Sequence, residues 1–214
     1  MNQELIKRIL SSIVLIPLAL FFIIKGSFLF IFFISLCFCT IAYEWHMMRK
    51  KKSFYLLGFL FLIFSFVTIY KLRFDNYSIG KDYIWILIIT IICVGTDVGG
   101  YIFGKLFKGP KLTKLSPNKT YAGMIGGYFL SLIALFISFQ YFNLKLSIEW
   151  LFFTLLLSSV SQLGDIIISY FKRLSKIKDT GKIIPGHGGL LDRVDGMIFA
   201  FPFAYIIILT GVFT

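Results

Sequence analysis

The sequence predicts an all-α integral membrane protein with about seven transmembrane helices, the N-terminus in the cytoplasm and the C-terminus outside. Of the 214 residues, 58% are hydrophobic and 15% are charged, whereas about 25% of the residues of soluble domains are charged. The apolar residues form long runs, and the short loops between them carry most of a formal net charge of +12. This pattern excludes a water-soluble globule, and it indicates loops that orient a membrane protein rather than a surface for nucleic acid.

Seven apolar runs approach the length of about 20 residues that a helix needs to cross a bilayer. They lie at 9–25, 28–46, 54–70, 83–102, 122–142, 150–168 and 196–213. The first two form a hairpin through Lys25-Gly26-Ser27, and no cleavable signal peptide is predicted because a second apolar run follows the first. In the absence of repeats or long linkers, we predict a single membrane domain over 1–214, with N-terminal spans in 1–95 and a catalytic half in 96–214.

The basic residues are distributed unequally over the loops. With the N-terminus in the cytoplasm, 17 of the 22 Lys and Arg residues fall on the cytoplasmic side and 5 on the other. Because positive charge favours the cytoplasmic side, this distribution predicts the stated orientation. The three cysteines, Cys37, Cys39 and Cys93, lie inside apolar runs without metal-ligand spacing and are predicted to be ordinary membrane-buried residues.

Loop 2, taken as Thr96 to Gly127, is rich in Gly, Asp and Lys. Asp97 is expected near the cytoplasmic end of its span, where a carboxylate without a partner is disfavoured. Two interpretations stay open at this point. Asp97 is either an interfacial acid paired with Lys105 or a ligand for a cation or substrate, made accessible by Gly99 and Gly100.

The later part of loop 2 has the composition of a phosphate-binding segment. Ser116, Lys119 and Thr120 precede a predicted helix, where hydroxyl, ammonium and backbone N–H groups would face an anion. Serine and proline before a helix are also ordinary capping residues, so the spacing alone leaves both interpretations open.

Loop 4, taken as Gln162 to Gly196, carries the densest polar pattern. Asp165, Ser169, Lys172 and Lys176 follow one another at offsets of 4, 3 and 4 residues, so they are predicted to share one helical face. That face would present a carboxylate, a hydroxyl and two ammonium groups to a ligand.

Three aspartates of loop 4 are candidate ligands of a divalent cation. Asp192 and Asp195 are three residues apart and are expected to face the same way, towards Asp165 from the preceding helix. Mg²⁺ takes oxygen ligands and is often held by one or two carboxylates together with substrate phosphates. Arg193 and its basic neighbours would neutralise phosphate oxygens. Three roles stay open for His187: a base, a hydrogen-bond donor to phosphate, or a hydrogen-bonding residue that holds the hinge of the glycine-rich bend.

These motifs resemble the signature of the phosphatidate cytidylyltransferases, also called CDP-diacylglycerol synthases. The resemblance covers about 27 consecutive residues without a gap and is carried by Ser169, Lys172-Arg173, Lys178-Asp179, Pro185-Gly186-His187-Gly188-Gly189, Asp192-Arg193 and Asp195. The segments 97–101 and 116–123 are similar to another stretch of that family. Ala122 and Ile168 depart from it, because the family usually has acidic or amide residues at the first position and often an acidic one at the second.

The resemblance implies a membrane enzyme that joins CTP to phosphatidic acid, giving CDP-diacylglycerol and pyrophosphate, with Mg²⁺ required and a second cation as an option. Its candidate catalytic residues are Lys172, Arg173, Lys178, Asp179, His187 and Arg193. Its candidate substrate-binding residues are Asp97, Ser116, Lys119, Thr120, Ser169, Gly188 and Gly189. Its candidate metal ligands are Asp165, Asp192 and Asp195.

The expected partners are CTP, phosphatidic acid and the lipid bilayer, with a homodimer as an open option and no nucleic acid. The expected location is the bacterial inner membrane, with the active site facing the cytoplasm, so that Ser175 and Thr180 should be reachable from that side. Two alternatives are a CTP-dependent polyprenol or phytol kinase and a membrane transporter. The contiguous Lys-Asp and His-Gly-Gly signature argues against the kinase. A transporter would place its polar groups near the bilayer midplane.

Overall fold

The computed structural model describes residues 3–48, 52–75, 83–113, 116, 119–184, 186 and 188–211. Its helices are α1 (Gln3–Lys25), α2 (Ser27–Met47), α3 (Lys52–Phe74), α4 (Ile84–Phe107), α5 (Tyr121–Phe142), α6 (Ile148–Leu174), α7 (Leu191–Val194) and α8 (Met197–Leu209). The described residues contain isolated β-bridges but no strands. The predicted all-α class is therefore confirmed.

Among the described residues, five helices are long and apolar enough to cross a membrane. They are α2, the Phe54–Phe74 part of α3, α4, α5 and α6. The apolar part of α1, Ile13–Lys25, and α8 are shorter; a helix of the 13 residues of α8 rises about 20 Å, against a hydrocarbon core of about 30 Å. The chain is thus a multi-pass membrane protein, and the count of seven spans and the orientation of the termini stay predictions.

The helices extend further into both polar segments than the sequence suggested. α4 continues to Phe107, five residues beyond the predicted span 83–102, and α5 begins at Tyr121, one residue before the predicted span 122–142. The reason is packing: Gly99 lies directly against the backbone of Gly126, and a Cβ atom on Gly123 would come within 2.7 Å of the Gly100 carbonyl oxygen. The glycines therefore allow two helices to cross closely, and Asp97 lies inside α4 rather than near the end of its span.

The second polar segment is divided between a helix and a true loop. α6 runs to Leu174, and a non-helical stretch then leads to α7. Ile184 donates its backbone N–H to the Gly188 carbonyl over 3.0 Å, which closes a tight turn within that stretch. We call residues 175–190 the 175–190 loop.

Two apolar clusters fix the arrangement of the helices. The larger surrounds α4, where Ile88, Ile89 and Ile92 are fully buried among side chains of α5, α6 and α8. The smaller joins Trp45 of α2 to Leu191 of α7 and to neighbouring side chains of α3, α6 and α8. Because of this second cluster, the C-terminal end of α2 lies beside the 175–190 loop and α7.

Candidate active site

A cavity of about 420 Å³ lies where α4, α5, α6 and α7 meet. Thirteen of the sixteen candidate site residues line it: Asp97, Ser116, Lys119, Thr120, Asp165, Ser169, Lys172, Arg173, Lys178, Asp179, Asp192, Arg193 and Asp195. Candidate residues from segments up to about 100 residues apart therefore lie around one cavity.

The polar face predicted on α6 is confirmed for three of its four residues. Asp165, Ser169 and Lys172 all line the cavity, and the Ser169 hydroxyl donates to Asp165 Oδ1 over 3.3 Å. Asp165 Oδ2 also forms an ion pair with Lys119, which connects α6 to the segment before α5. Lys176 was wrongly placed on this face, because α6 ends at Leu174 and Lys176 has a positive φ of 56° in the turn that follows.

Asp192 is held by donors on both of its carboxylate oxygens. Oδ1 accepts a hydrogen bond from Lys172 Nζ at 2.8 Å. Oδ2 accepts from the backbone N–H of Thr180 at 2.8 Å, from that of Gly189 at 3.2 Å and from the Thr180 hydroxyl at 3.1 Å. Burial opposes ionisation, but the bond from Lys172 and the backbone donors outweigh it, so the pKa of Asp192 lies below its ordinary value.

Asp195 has a different environment, facing other carboxylates. Its side chain is buried, and Oδ1 accepts from the backbone N–H of Gly196 at 2.9 Å. Burial raises the pKa of Asp195 well above its ordinary value, and the negative charges of Asp165 and Asp97 raise it further. Asp97, Asp165 and Asp195 thus form an acidic side of the cavity that a cation would stabilise.

The carboxylates are near one another without forming a finished coordination shell. Within the part of the chain that the structure describes, no three Asp, Glu, His or Cys side chains are at metal-binding spacing. Hard oxygen donors nevertheless suit Mg²⁺, and the mutual repulsion of Asp97, Asp165 and Asp195 makes this donor set chemically suited to a divalent cation.

The segment before α5 serves as a helix cap and as cavity lining at once. Thr120 Oγ1 accepts the backbone N–H of Gly123 at 3.1 Å, which is an ordinary N-cap. The capping interpretation is therefore confirmed for Thr120. Thr120, Ser116 and Lys119 also line the cavity, and phosphate binding by this segment stays a prediction. The proposed pairing of Lys105 with Asp97 does not fit, because Lys105 Nζ lies over the Tyr101 ring, 5.6 Å from its centroid.

The remaining candidates lie in the 175–190 loop. His187 is outside the described residues. Gly188 and Gly189 are inside the loop, where a Cβ on Gly188 would approach Asp192 Oδ2 to 3.2 Å and one on Gly189 would collide with Thr180. The expected accessibility of Ser175 and Thr180 is wrong, since their exposed fractions are 8% and 7%.

Two functional candidates were missed by the sequence reasoning. Gln162 lines the cavity one turn before Asp165. Glu44 of α2 is 1% exposed and accepts hydrogen bonds from the 175–190 loop and from α7. The available signal was that Glu44 is the one acidic residue between Glu4 and Asp75, since a charge inside a membrane segment is a functional candidate by default.

The charges around the cavity are balanced. Five aspartates and five Lys or Arg side chains line it. A site for an anion alone would need no acids, and a site for a cation alone would need no bases. The balance therefore suits a ligand that brings negative phosphates together with a positive counter-ion.

The fold defines a multi-pass membrane protein, and its helices surround a cavity lined by side chains of both charges. The chain belongs to the cytidylyltransferase family, whose sequence model matches residues 56–210. It is 36% identical over 180 residues to the phosphatidate cytidylyltransferase of Staphylococcus aureus strain COL, and the matched region covers 82% of this chain and 68% of the relative. It is 39% identical over 160 residues to the protein of the same name from Staphylococcus haemolyticus strain JCSC1435, covering 73% and 59%.

Proposed function

We propose that this chain is a CTP:phosphatidate cytidylyltransferase. A phosphate oxygen of phosphatidic acid attacks the α-phosphorus of CTP. The bond from that phosphorus to the β-phosphate oxygen breaks, and pyrophosphate leaves as CDP-diacylglycerol forms. The single observation that carries the proposal is the cavity with five acidic and five basic side chains, in a chain of the cytidylyltransferase family.

The basic residues address the main electrostatic obstacle of this reaction. Two anions must approach each other, and charge must be neutralised on the oxygens of the leaving pyrophosphate. Arg173, Lys178 and Arg193 are exposed and line the cavity, so they are available to phosphate oxygens. Lys172 is already fixed by Asp192 at 2.8 Å, so it presents its charge in a defined position.

The lipid phosphate needs no strong general base, because it is already ionised near neutral pH. The chemistry then depends on orientation and charge, with the side chains around the cavity holding the two phosphates in line. This mechanism requires no proton transfer to His187.

The acidic side of the cavity provides the residues that would hold Mg²⁺. Asp165 and Asp195, with Asp97, are the carboxylates best placed for it. Asp165 and Asp192 are already paired with Lys119 and Lys172, so a cation bound to either would have to share that carboxylate with an ammonium group or displace it. Bound there, the cation would polarise phosphoryl oxygens and neutralise charge on the leaving group.

The two substrates would reach the site by different routes. Charge asymmetry in the sequence favours a cytoplasmic position for the cavity, so CTP would enter from the cytoplasm of the bacterial cell. Phosphatidic acid would reach the same point sideways from the inner leaflet, and its acyl chains would stay in the bilayer. Lys172, Arg173 and Arg193 would hold its phosphate at the depth of the head groups.

The position of a radiolabel in CTP tests the proposal and separates it from the kinase alternative. Purified protein in detergent is incubated with phosphatidic acid, Mg²⁺ and CTP labelled in either the cytosine ring or the γ-phosphate. A cytidylyltransferase transfers the ring label to the lipid and releases the γ label as pyrophosphate. A kinase acting on a lipid alcohol would transfer the γ label, and either that result or the absence of ring label in the lipid would contradict the proposal.

Lys172→Met and Lys145→Met provide matched variants for this assay. Lys172 lines the cavity, whereas Lys145 is exposed between α5 and α6. Removal of the first charge should abolish most lipid labelling, and removal of the second should leave it unchanged. Equal effects would show that the labelling does not depend on this cavity.

A further inference from the structure

Glu44 is a buried carboxylate far in sequence from every residue that lines the cavity. Its side chain is 1% exposed, at the C-terminal end of α2. Oε1 accepts the backbone N–H of Leu190 at 2.9 Å, and Oε2 accepts that of Leu191 at 2.8 Å and the hydroxyl of Thr180 at 2.8 Å. The carboxylate thus binds Thr180 inside the 175–190 loop, Leu190 at the end of that loop and Leu191 at the start of α7.

Thr180 connects this carboxylate to the cavity. Its hydroxyl lies 2.8 Å from Glu44 Oε2 and 3.1 Å from Asp192 Oδ2, so one hydrogen atom is shared between two carboxylates. Its backbone N–H donates to the same Asp192 oxygen at 2.8 Å. A displacement of Thr180 would therefore be transmitted directly to Asp192.

The loop backbone is packed closely around Glu44. A Cβ on Gly181 would come within 2.8 Å of Glu44 Oε1, and one on Gly189 within 2.6 Å of Oε2. A side chain at either position would therefore displace the carboxylate or the loop. The arrangement consequently depends on a side chain of the length and acceptor number of glutamate.

We propose that Glu44 is a positioning residue for the catalytic site. It fixes Thr180, Leu190 and Leu191, and through them it fixes Asp192 and the ammonium group of Lys172. The N-terminal helices then do more than anchor the chain, because α2 supplies the acceptor that holds the 175–190 loop in its active geometry.

Glu44→Gln tests this role with little change in volume. The amide keeps one acceptor but places an NH₂ group against a backbone N–H of Leu190 or Leu191, so at least one bond must be lost. Glu149→Gln is the matched control, since Glu149 is exposed at the N-terminal end of α6. Both variants are purified as the full chain in detergent and compared with the parent in thermal unfolding.

Limited trypsin digestion measures the loop independently of catalysis. Lys176, Lys178 and Lys182 are exposed in the 175–190 loop, and Lys145 is exposed between α5 and α6 as an internal reference. Glu44→Gln should accelerate cleavage at the three loop lysines by about tenfold, because cleavage follows the population of the open loop. Cleavage at Lys145 should not change.

Turnover provides the second readout, which rests on the proposed function. Glu44→Gln should lower turnover about 10- to 100-fold, as changes to residues that orient ligating groups typically do, and Glu149→Gln should not change it. The loss should appear mainly in kcat, with a smaller change in the KM for CTP. If the parent protein transfers no ring label, the proposed function fails, while the trypsin measurement still decides the role of Glu44.

Thr180 keeps the proposal testable if Glu44→Gln does not fold. Thr180→Val removes the hydroxyl between the two carboxylates, whereas Thr180→Ser retains it. The proposal expects faster loop cleavage and lower turnover for the valine variant, with both largely recovered by serine. It is overturned if Glu44→Gln folds and matches the parent in both readouts, or if valine and serine behave alike.

Discussion

Asp192→Asn is the most informative single change in the cavity, because it preserves volume and removes one acceptor. Asp192 uses Oδ1 for Lys172 at 2.8 Å and Oδ2 for Thr180 and Gly189. In an asparagine, one of these two positions becomes an NH₂ group that faces donors only. The side chain must then lose either the ammonium of Lys172 or the loop.

The expected loss of turnover in Asp192→Asn follows from the type of hydrogen bond that is lost. A hydrogen bond to a charged group contributes about 1.5–3 kcal/mol. At 1.36 kcal/mol for each factor of ten, turnover should fall about 10- to 150-fold if the whole loss appears in the barrier. The side chains of Lys172 and Asp192 are only 11% and 6% exposed, so solvent provides little screening.

The assay is transfer of cytosine-labelled CTP to phosphatidic acid, with Asp75→Asn as the control. Asp75 pairs with Lys71 at 3.6 Å, but both side chains are well exposed, and exposed pairs contribute about 0–1 kcal/mol. The Lys172→Met and Asp192→Asn losses should also combine to less than their product, because both remove the same bond. Asp192→Asn turnover above about a tenth of the parent, or fully multiplicative losses, would refute this reasoning.

Three further results are expected. EDTA should abolish turnover and Mg²⁺ should restore it, because Asp97, Asp165 and Asp195 lie near one another and a bound cation would offset their mutual repulsion. Full turnover in metal-free protein would remove the cation from the proposal. Gly99→Ala should lower the free energy of unfolding by about 1–3 kcal/mol through overpacking, as measured by thermal unfolding. Gly100→Ala should lower it less, because the added Cβ would meet only an oxygen 3.8 Å away. Equal losses of stability would contradict the described crossing of α4 and α5. In a cysteine-free background, an impermeant thiol reagent should label Lys178→Cys from the cytoplasmic side only and Lys145→Cys from the opposite side. Exchange of the two sides would contradict the predicted orientation, and labelling of both from one side would show that α6 does not cross the membrane.

The site residues could be predicted because their chemistry is conspicuous in an apolar chain. Carboxylates and ammonium groups at helical spacing, such as Asp165 and Lys172, have few functions in a membrane protein other than binding a charged ligand. The spacing of 4 and 3 residues also fixed their common face, and the structure places both at the cavity.

The extent of the helices could not be predicted from the same residues. Gly104 lies beyond the predicted span 83–102 but inside α4, and glycine resembles a loop residue when helix propensity in water is considered. In a membrane protein, small residues let two backbones approach closely, and helices there continue through them. Local composition does not distinguish these two uses of glycine, because the deciding contact is with another helix.

Glu44 could not be placed because its partners are distant in the chain. The sequence marks it as an unusual charge but contains no local acceptor or donor pattern that identifies Thr180, Leu190 or Leu191. These residues are 136, 146 and 147 positions away. Only the packing of α2 against α6 and α7 brings them together.

The position of Glu44 also bears on how the protein is made. At about 5–20 residues per second, the ribosome completes the partners of Glu44 roughly 7–30 s after Glu44 itself. During that interval the carboxylate has to be hydrated, and it lies only three residues before the last residue of α2, Met47. A glutamate in the middle of α2 would be surrounded by hydrocarbon during that interval. The end of the helix therefore allows the acid to enter the membrane early and to be enclosed by protein only after Thr180, Leu190 and Leu191 have been synthesised.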